Sequence, residues 1–333
     1  ETAYIDAVRS GVSSLKHTTD DEGNPVLYYP GDYNVVVPGH RDIEFREAVL
    51  IEQGIDKQVL TFTSPGTHVE TPKVAANFAS LVNDALAEIK ATRSRFTALA
   101  TLPLNDPDAS VKELERAMTS LGFKGVMLFS NVYGVALADE RYWPLDEEAD
   151  RLGCALGIHG GVHDNMGLDD MSPYAPVNAL GHPFGQMVNF AGIVFNGVLD
   201  RYPNARFGFL EAGAGWFVNC LERFERSWSS HIQYDPNGRF LRLKKNESVT
   251  DYILRHVDAG RISVGVEGDE LTLPFAVRIA GNKPFIFSSD FPHEVNHATA
   301  KEEIQELRSN ARLTEDDKAG ILYANAQRFY QIG

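Results

Sequence analysis

The sequence has few cysteines and no run of basic residues. Its 333 residues include two cysteines. These are Cys154 and Cys220, and each lies in an apolar run, so we expect buried thiols rather than a disulfide framework or a thiolate zinc site. The formal net charge is −15, whereas nucleic-acid binding needs clustered lysine and arginine to release counterions from phosphate. The composition therefore argues against a nucleic-acid binder.

Long apolar segments and several familiar catalytic motifs are also missing. No stretch approaches the roughly 20 apolar residues that cross a bilayer, and the first residues lack the basic-then-apolar order of a signal peptide. We therefore predict no membrane partner and, by default, a cytoplasmic location. The sequence contains no Gly-x-Ser-x-Gly elbow, no Walker phosphate loop and no Gly-x-Gly-x-x-Gly turn after an early strand. Nothing in it supports the chemistries that use those motifs.

What is present, from about residue 44 onward, is an alternation of short apolar strands with segments of helical period. This alternation is typical of repeated βα units around a parallel sheet, and 43% hydrophobic residues allow a large core. Strands are predicted at residues 58–63, 95–104, 125–130, 154–160, 205–212, 261–268 and 284–290. Helices are predicted between them, for example at 74–92, 110–122 and 184–202.

These strands are one fewer than the eight of a closed (β/α)₈ (TIM) barrel. Residues 1–43 are rich in turn residues and predict a hairpin instead of a strand–helix unit. We therefore predict one α/β domain over residues 1–333. It is a (β/α)₈ barrel whose first strand is missing from this sequence, and residues 1–43 form a hairpin-bearing N-terminal segment of it. We accordingly expect a gap in the barrel. An open, seven-stranded, doubly wound sheet is the alternative.

Polar residues close three of the late strands, at the C-terminal rim where barrel sites lie. His159, Glu211 and Asp290 each end a different predicted strand. A lone histidine in such a place is more often structural. Buried carboxylates, however, cost several kcal/mol unless they are paired or bound to metal. The convergence of three such residues on one rim therefore predicts a site, and a metal ion would supply the pairing.

Other polar residues follow strand ends. Three histidines are predicted in loops near the rim: His163, His182 and His293. We interpret the first as an exposed loop residue and the other two as candidate catalytic residues. The acidic residues Glu267, Asp269 and Glu270 follow another strand. We interpret them as caps of the helix that is predicted to start near Leu271, with a catalytic role as the alternative.

Four segments carry a wider resemblance. They are RFTALATLPLNDPDASVKELERAMTSLGFKGVMLFSNVYG, YWPLDEEADRLGCALGIHGG, GIVFNGVLDRYPNARFGFLEAGAGW and FSSDFPH. In order and spacing they resemble the amidohydrolase superfamily (amidohydrolase 2 type), and within it the branch of aminocarboxymuconate-semialdehyde decarboxylase. The resemblance implies a (β/α)₈ barrel with one divalent metal, zinc first and manganese as the alternative. It also implies a homodimer that acts on a small-molecule substrate.

In that family a His-x-His pair on strand 1, a histidine on strand 5 and an aspartate on strand 8 surround the metal. The resemblance implies that His159 and Asp290 are the last two ligands. No His-x-His pair occurs in this sequence, so we expect an incomplete metal site. The decarboxylases carry a His-Gly-Gly general base on strand 6, whereas this sequence has Glu211 in LEAGAG, which argues against decarboxylation. The hairpin also lacks the arginine that clamps the substrate carboxylate, for which Arg41 is a candidate replacement.

We therefore predict a metal-dependent hydrolase in which metal-bound water or hydroxide attacks a small cyclic or conjugated substrate. Asp290 binds the metal and handles the proton, Glu211 is the general acid/base, and His182 and His293 are further catalytic candidates. We predict a pKa near neutrality for Glu211, because burial raises it and a nearby cation lowers it. The alternatives are a non-oxidative decarboxylase of a small aromatic or unsaturated acid and a metal-free relative with a binding or structural role.

Overall fold

The computed structural model describes residues 2–29, 32–63, 65–161, 166–168, 170–172, 174–231, 239–293 and 297–332. Its N-terminal elements are α1 (Thr2–Arg9), β1 (Lys16–Thr19), β2 (Pro25–Tyr29) and β3 (Asp32–Val35). Strand β2 pairs antiparallel with both of its neighbours, so the predicted hairpin is confirmed and a third strand extends it. Helix α1, which the sequence analysis did not predict, buries Tyr4, Ile5 and Val8 against the side chains of Phe62 and Phe78.

The remaining strands are β4 (Gln58–Leu60), β5 (Phe96–Ala98), β6 (Ala100–Thr101), β7 (Gly125–Phe129), β8 (Asn131–Val132), β9 (Val135–Ala136), β10 (Ala155–His159), β11 (Arg206–Phe209), β12 (Ile262–Val266) and β13 (Phe285–Phe287). Strands β8 and β9 form a small antiparallel hairpin. Strands β5 and β6 are two pieces of the single strand predicted at 95–104, interrupted at Leu99. Each of the seven predicted strands is therefore present.

The parallel strands follow one another around the sheet in chain order. Strand β4 pairs with β5, β6 pairs with β7, and β7 is followed by β10, β11, β12 and β13, every pair being parallel. A doubly wound sheet would reverse this order at a switch point, and no reversal occurs in the described ranges. The predicted barrel is confirmed, and the doubly wound alternative is wrong.

The helices that follow α1 are α2 (Pro38–Arg41), α3 (Ile43–Gln53), α4 (Pro72–Thr92), α5 (Pro107–Thr119), α6 (Trp143–Leu152), α7 (Tyr174–Phe195), α8 (Val198–Arg201), α9 (Gly215–His231), α10 (Val249–Asp258), α11 (Leu273–Ala280), α12 (His297–Ser309), α13 (Glu315–Ala319) and α14 (Asn325–Tyr330). A 3₁₀ turn covers Glu140–Tyr142 and a π turn covers Gly320–Ala324. The helices predicted at 74–92 and 110–122 correspond to α4 and α5.

Helix α7 differs from its prediction. It begins at Tyr174, ten residues before the predicted start at residue 184, and carries Pro183 in its interior. Proline favours the first turn of a helix, which is why the sequence placed the helix start next to it. The predicted helix end at residue 202 is also wrong, because Gly197, with φ 65°, separates α7 from α8. As a result His182, predicted in a loop, lies on a helix.

The first and last strands of the barrel order do not pair with each other. Within the described residues, β4 pairs only with β5, and β13 pairs only with β12. A cavity of about 1260 Å³ is lined by residues of both strands, together with residues of α4 and of the C-terminal segment. The expected gap in the barrel is therefore present, and the cavity continues to the C-terminal ends of the strands.

Both cysteines are buried and free, as predicted. Burial raises the pKa of the thiols of Cys154 and Cys220 to about 12, so neither is a reactive thiolate. Within the described residues, no helix combines the length and the apolar character that crossing a membrane requires.

Candidate active site

Three strand ends bring the predicted residues to one place. His159 is the last residue of β10, Glu211 lies two residues after β11, and Asp290 lies three residues after β13. All three line the same cavity. Glu211 and Asp290 have positive φ values of 56° and 47°. This conformation costs a non-glycine residue on the order of 1 kcal/mol and is typically retained at functional sites.

The buried His159 and the partly buried Glu211 form an ion pair. The Nε2 atom of His159 contacts the Oε2 atom of Glu211, and its Nδ1 atom lies 2.6 Å from the carbonyl oxygen of Gly160. Because a carbonyl only accepts hydrogen bonds, Nδ1 donates and Nε2 faces the carboxylate.

The two groups shift each other's pKa in opposite directions. Burial lowers the pKa of His159, but the Glu211 carboxylate raises it by more. Burial raises the pKa of Glu211, but His159, and after it His182 and His293, lower it below its usual range. The sequence predicted a near-neutral pKa for Glu211, whereas the imidazoles beside it outweigh burial and lower its pKa.

His182 reaches the same carboxylate from α7. Its Nδ1 atom lies 3.5 Å from the Oε1 atom of Glu211, and its ring centroid is 5.8 Å from that of His159. A Cβ atom at Gly160 would lie 2.7 Å from the His182 ring, so the absence of a side chain there permits this approach. Glu211 thus lies between two imidazoles.

A second linked group lies at the end of β13. The Nδ1 atom of His293 is 2.7 Å from the Oδ1 atom of Asp290, and its Nε2 atom is 2.9 Å from the Thr63 hydroxyl oxygen. The ring of His40 lies 5.0 Å from that of His293. Burial, followed by the nearby His293 and Arg46, lowers the pKa of His40 to about 3. The His40 ring is therefore neutral.

Sequence reasoning missed two of these residues. Thr63 follows β4 at the same rim as the other strand ends, so its position was a usable signal. His40 lies on the short helix α2, after the antiparallel strand β3 and not at the end of a barrel strand. The prediction for His163 concerns a residue outside the described ranges. Arg41 donates to the Val36 carbonyl and to the Asn24 side chain, both at 3.3 Å.

The interpretation of the acidic residues after β12 as caps of the following helix is wrong, because α11 begins without a side-chain cap; Glu270 instead caps a different turn. The carboxylate of Glu270 accepts from the backbone amides of Ala214 at 2.7 Å and Glu267 at 2.8 Å. Ala214 directly precedes α9, so the capped turn belongs to α9 instead of α11. Burial, followed by Glu270 and Asp269, raises the pKa of Glu267 to about 7.

The donor types suit a divalent metal, but their number falls short of a complete site. His159 and Asp290 offer one imidazole nitrogen and one carboxylate, which zinc and manganese both accept. In the part of the chain that is described, no group of three or more histidine, cysteine or acidic side chains is placed to hold an ion. The incomplete ligand set expected from the sequence stays a prediction.

Known proteins resemble this chain over most of its length. Residues 37–332 match the sequence model of a family described as Amidohydrolase. A 2-amino-3-carboxymuconate-6-semialdehyde decarboxylase of Dictyostelium discoideum is 27% identical over 292 residues, which is 86% of this chain and 76% of the relative. A gamma-resorcylate decarboxylase of Polaromonas sp. is 27% identical over 307 residues, covering 87% and 88%.

Solved structures share the fold. The 5-carboxyvanillate decarboxylase LigW of Sphingomonas paucimobilis has a TM-score of 0.73 at 23% identity, covering 87% of this chain and 83% of that one. A dihydroxybenzoic acid decarboxylase of Polaromonas sp., solved with bound manganese and the inhibitor 2-nitroresorcinol, has a TM-score of 0.68 at 22% identity, covering 88% and 86%. At these identities the structures support the barrel fold alone.

Proposed function

This chain belongs to the Amidohydrolase family, and from that premise we propose that it is a metal-dependent, non-oxidative decarboxylase of a small aromatic or unsaturated acid. Relatives that align over most of the chain are named as decarboxylases, which favours this function over the hydrolysis that the sequence analysis placed first. The observation that carries the proposal is the Glu211 carboxylate held between the imidazoles of His159 and His182.

Non-oxidative decarboxylation needs a group that moves a proton. The bond between a substrate carbon and its carboxylate breaks, the electron pair stays on that carbon, and the carbon takes up a proton as CO₂ leaves. The donor must then regain a proton from water. Glu211 and His182 suit this work, because they are in reach of each other and their side chains are about one-fifth exposed, at 21% and 20%.

His182 offers an imidazole in place of the strand-6 histidine, whose absence from the sequence argued against decarboxylation. The decarboxylases that the chain resembles use a histidine on strand 6, where this chain has Glu211. In the folded chain, α7 brings the imidazole of His182 to 3.5 Å from that glutamate. The site therefore retains an imidazole for proton transfer, and its source is a helix instead of the strand.

A divalent ion, zinc or manganese, would be held by His159 and Asp290 together with donors beyond the two identified here. Such an ion stabilises negative charge on the substrate's oxygen atoms. Manganese is the ion named for the Polaromonas structure. Asp290, bonded to His293, is the proposed carboxylate ligand, and His293 orients it. We also propose the homodimer that the family resemblance implies.

Product analysis tests the reaction. The full-length protein is incubated with carboxyl-labelled hydroxybenzoic acids and a muconate-type acid in D₂O, and CO₂ and the product are quantified. We expect CO₂ in equal amount to the acid consumed, and one deuterium on the carbon that carried the carboxylate. The methyl ester of the same acid is the matched control and should release no CO₂. Cleavage of the methyl ester by water to the acid and methanol would instead support hydrolysis, which the presence of Glu211 favours as the second candidate.

Metal analysis separates both reactions from a metal-free binding role. An enzyme of this kind should contain about one divalent ion per chain after expression with added zinc or manganese. Less than about a tenth of that amount would favour the metal-free alternative. The metal-free alternative is tested because His159 and Asp290 are the only two metal ligands proposed among the described residues, fewer than a complete site needs.

A further inference from the structure

Gln186 connects the two strand ends that carry the ion pair. It lies on α7 with no solvent exposure. Its side-chain Nε2 donates to the carbonyl oxygens of Ile158, at 2.8 Å, and Leu210, at 2.9 Å. These residues directly precede His159 and Glu211. A single buried amide therefore binds the last peptide before each of the two site residues.

The position of this bridge matters because the strand pairing ends there. The register between β10 and β11 ends with Ile158 opposite Phe209, and the Leu210 amide donates one further bond to the Ile158 carbonyl at 2.8 Å. The bridge from Gln186 holds the Leu210 carbonyl itself. That oxygen lies in the same peptide plane as the amide nitrogen of Glu211, so its orientation constrains the φ angle of Glu211, which is 56°.

Docking of α7 does not depend on Gln186 alone. Asn189, one turn further along the helix, donates to the Ser130 carbonyl at 2.7 Å and accepts from the Ala138 amide at 3.2 Å. The other atom of the Gln186 amide, Oε1, is buried without a hydrogen-bond partner among the described residues. An unpaired buried acceptor is unfavourable, so only the donor half of this amide stabilises the contact between α7 and the strand ends.

We infer that Gln186 is a positioning residue, which sets the placement of the His159 imidazole against the Glu211 carboxylate by fixing the peptides that precede them. The inference rests on the proposed function in one respect, namely that His159 and Glu211 belong to the reacting site. The claim that Gln186 sets the placement of these two side chains is independent of the reaction and can be tested without measuring turnover.

The test compares Gln186→Met with a matched control elsewhere in the barrel. Methionine keeps the length of the side chain and removes both donated bonds. The control is Asn325→Leu, because Asn325 is also buried and its amide also bridges two carbonyls, those of Asn282 and Phe285, both at 2.9 Å. Phe285 begins β13, so this second bridge lies at the end of the barrel away from the site.

The first readout is the imidazole ¹⁵N and N–H proton resonances of His159 in the purified full-length protein, assigned by their loss in His159→Gln. We expect Gln186→Met to shift these resonances and Asn325→Leu to leave them in place, although both variants lower the urea midpoint. The second readout is turnover. A displacement of about 1 Å in a reacting group costs roughly 10²-fold, so kcat should fall by about that factor in Gln186→Met, with KM changed by less than about threefold.

Unchanged His159 resonances in Gln186→Met would overturn the inference, as would equal shifts in the Asn325→Leu control. If Gln186→Met does not fold, Gln186→Asn, whose shorter side chain reaches one carbonyl at most, is judged by the same resonances. If the unchanged protein releases CO₂ from none of the acids, the proposed function fails, while the resonances still decide the role of Gln186.

Discussion

Replacing Glu211 with glutamine removes the charge and the titrating proton of the carboxyl group while nearly preserving its shape. In the structure the carboxylate contacts His159 and lies 3.5 Å from Nδ1 of His182. A glutamine amide offers one acceptor and one donor group, so it can satisfy one imidazole as an acceptor but not both. The variant therefore keeps the packing of the site and loses the group proposed to transfer the proton.

The expected effect on turnover is much larger than the effect on folding. Loss of a general acid/base lowers the rate by roughly 10²–10⁴-fold, or about 2.7–5.5 kcal/mol at about 1.36 kcal/mol per factor of ten. Removing one partner of a buried ion pair costs about 3–5 kcal/mol when the other charge stays buried. His159 need not stay charged, because burial lowers the pKa of its imidazole once the carboxylate is gone. We therefore expect the free energy of unfolding to fall by less than about 3 kcal/mol.

The assay measures CO₂ release, metal content and urea unfolding on the same preparations. The Glu211→Gln variant should bind as much metal as the wild-type protein and lose most of the wild-type turnover. The matched control is Glu267→Gln, which alters the carboxylate just after the adjacent strand β12. Burial, followed by Glu270 and Asp269, raises the pKa of Glu267 to about 7, so this side chain is already partly neutral near that pH. Its kcat should stay within about threefold of the unchanged value.

Two results would refute the assignment. If Glu211→Gln loses its metal, Glu211 is a ligand, and the proton transfer must be sought at His182 or His293. If the variant keeps both its metal and full turnover, Glu211 is a structural residue of the rim, and the proposed proton transfer through it is wrong.

Three further predictions follow from the same geometry. His159→Ala should lose bound metal to below about a tenth of the unchanged content, measured by elemental analysis, because an imidazole ligand is removed; retained metal would contradict its role as a ligand. Gly160→Ala places a Cβ atom 2.7 Å from the His182 ring and should lower kcat about tenfold by displacing that ring. The control Gly161→Ala, with its nearest neighbour at 3.2 Å, should change kcat much less, and equal losses would contradict the role of His182. Burial lowers the pKa of His256 to about 3, against about 6.5 in the unfolded chain, so the unfolded state binds the extra proton between these values. The contribution of His256 to stability should therefore fall as the pH drops below about 6.5, by about 1.4 kcal/mol per unit. His256→Gln should lower the slope measured in urea titrations by about that amount, and an unchanged slope would assign it to other groups such as His40, whose pKa is also about 3.

The strands were predictable because each is a short apolar run with no competing helical period. CALGIHG and ARFGFLEA contain the buried β10 and β11 and end on the polar residues that mark the rim. The helix boundaries were less predictable, since Pro183 resembles a helix start and lies inside α7. Tertiary packing of the later turns against the strand ends overrides the local preference of a single proline.

Site residues could be predicted from the sequence only where they end a strand of the barrel. His159, Glu211 and Asp290 end strands, and parallel strands present their ends at one rim. His40 and His293 are separated by 253 positions in the chain, and their ring centroids are 5.0 Å apart because helix α2 packs against the residues that follow β13. No local pattern in the sequence encodes such a contact. The role inferred for Gln186 depends on two backbone carbonyls, which sequence patterns do not reveal at all.

The relocation of His182 from a predicted loop to α7 changes the balance between the two candidate reactions. From the sequence, a glutamate at the strand-6 position argued for hydrolysis, because the histidine of the decarboxylases was missing there. In the folded chain, an imidazole on α7 approaches that glutamate, and Gly160 provides the space for it. Under the proposed function, His182 and Glu211 would pass the proton to and from water without a histidine on the strand. The strand-6 motif alone indicates that the histidine of the decarboxylases is absent from this chain. The folded chain places an imidazole near the same position, but this imidazole belongs to His182 on α7.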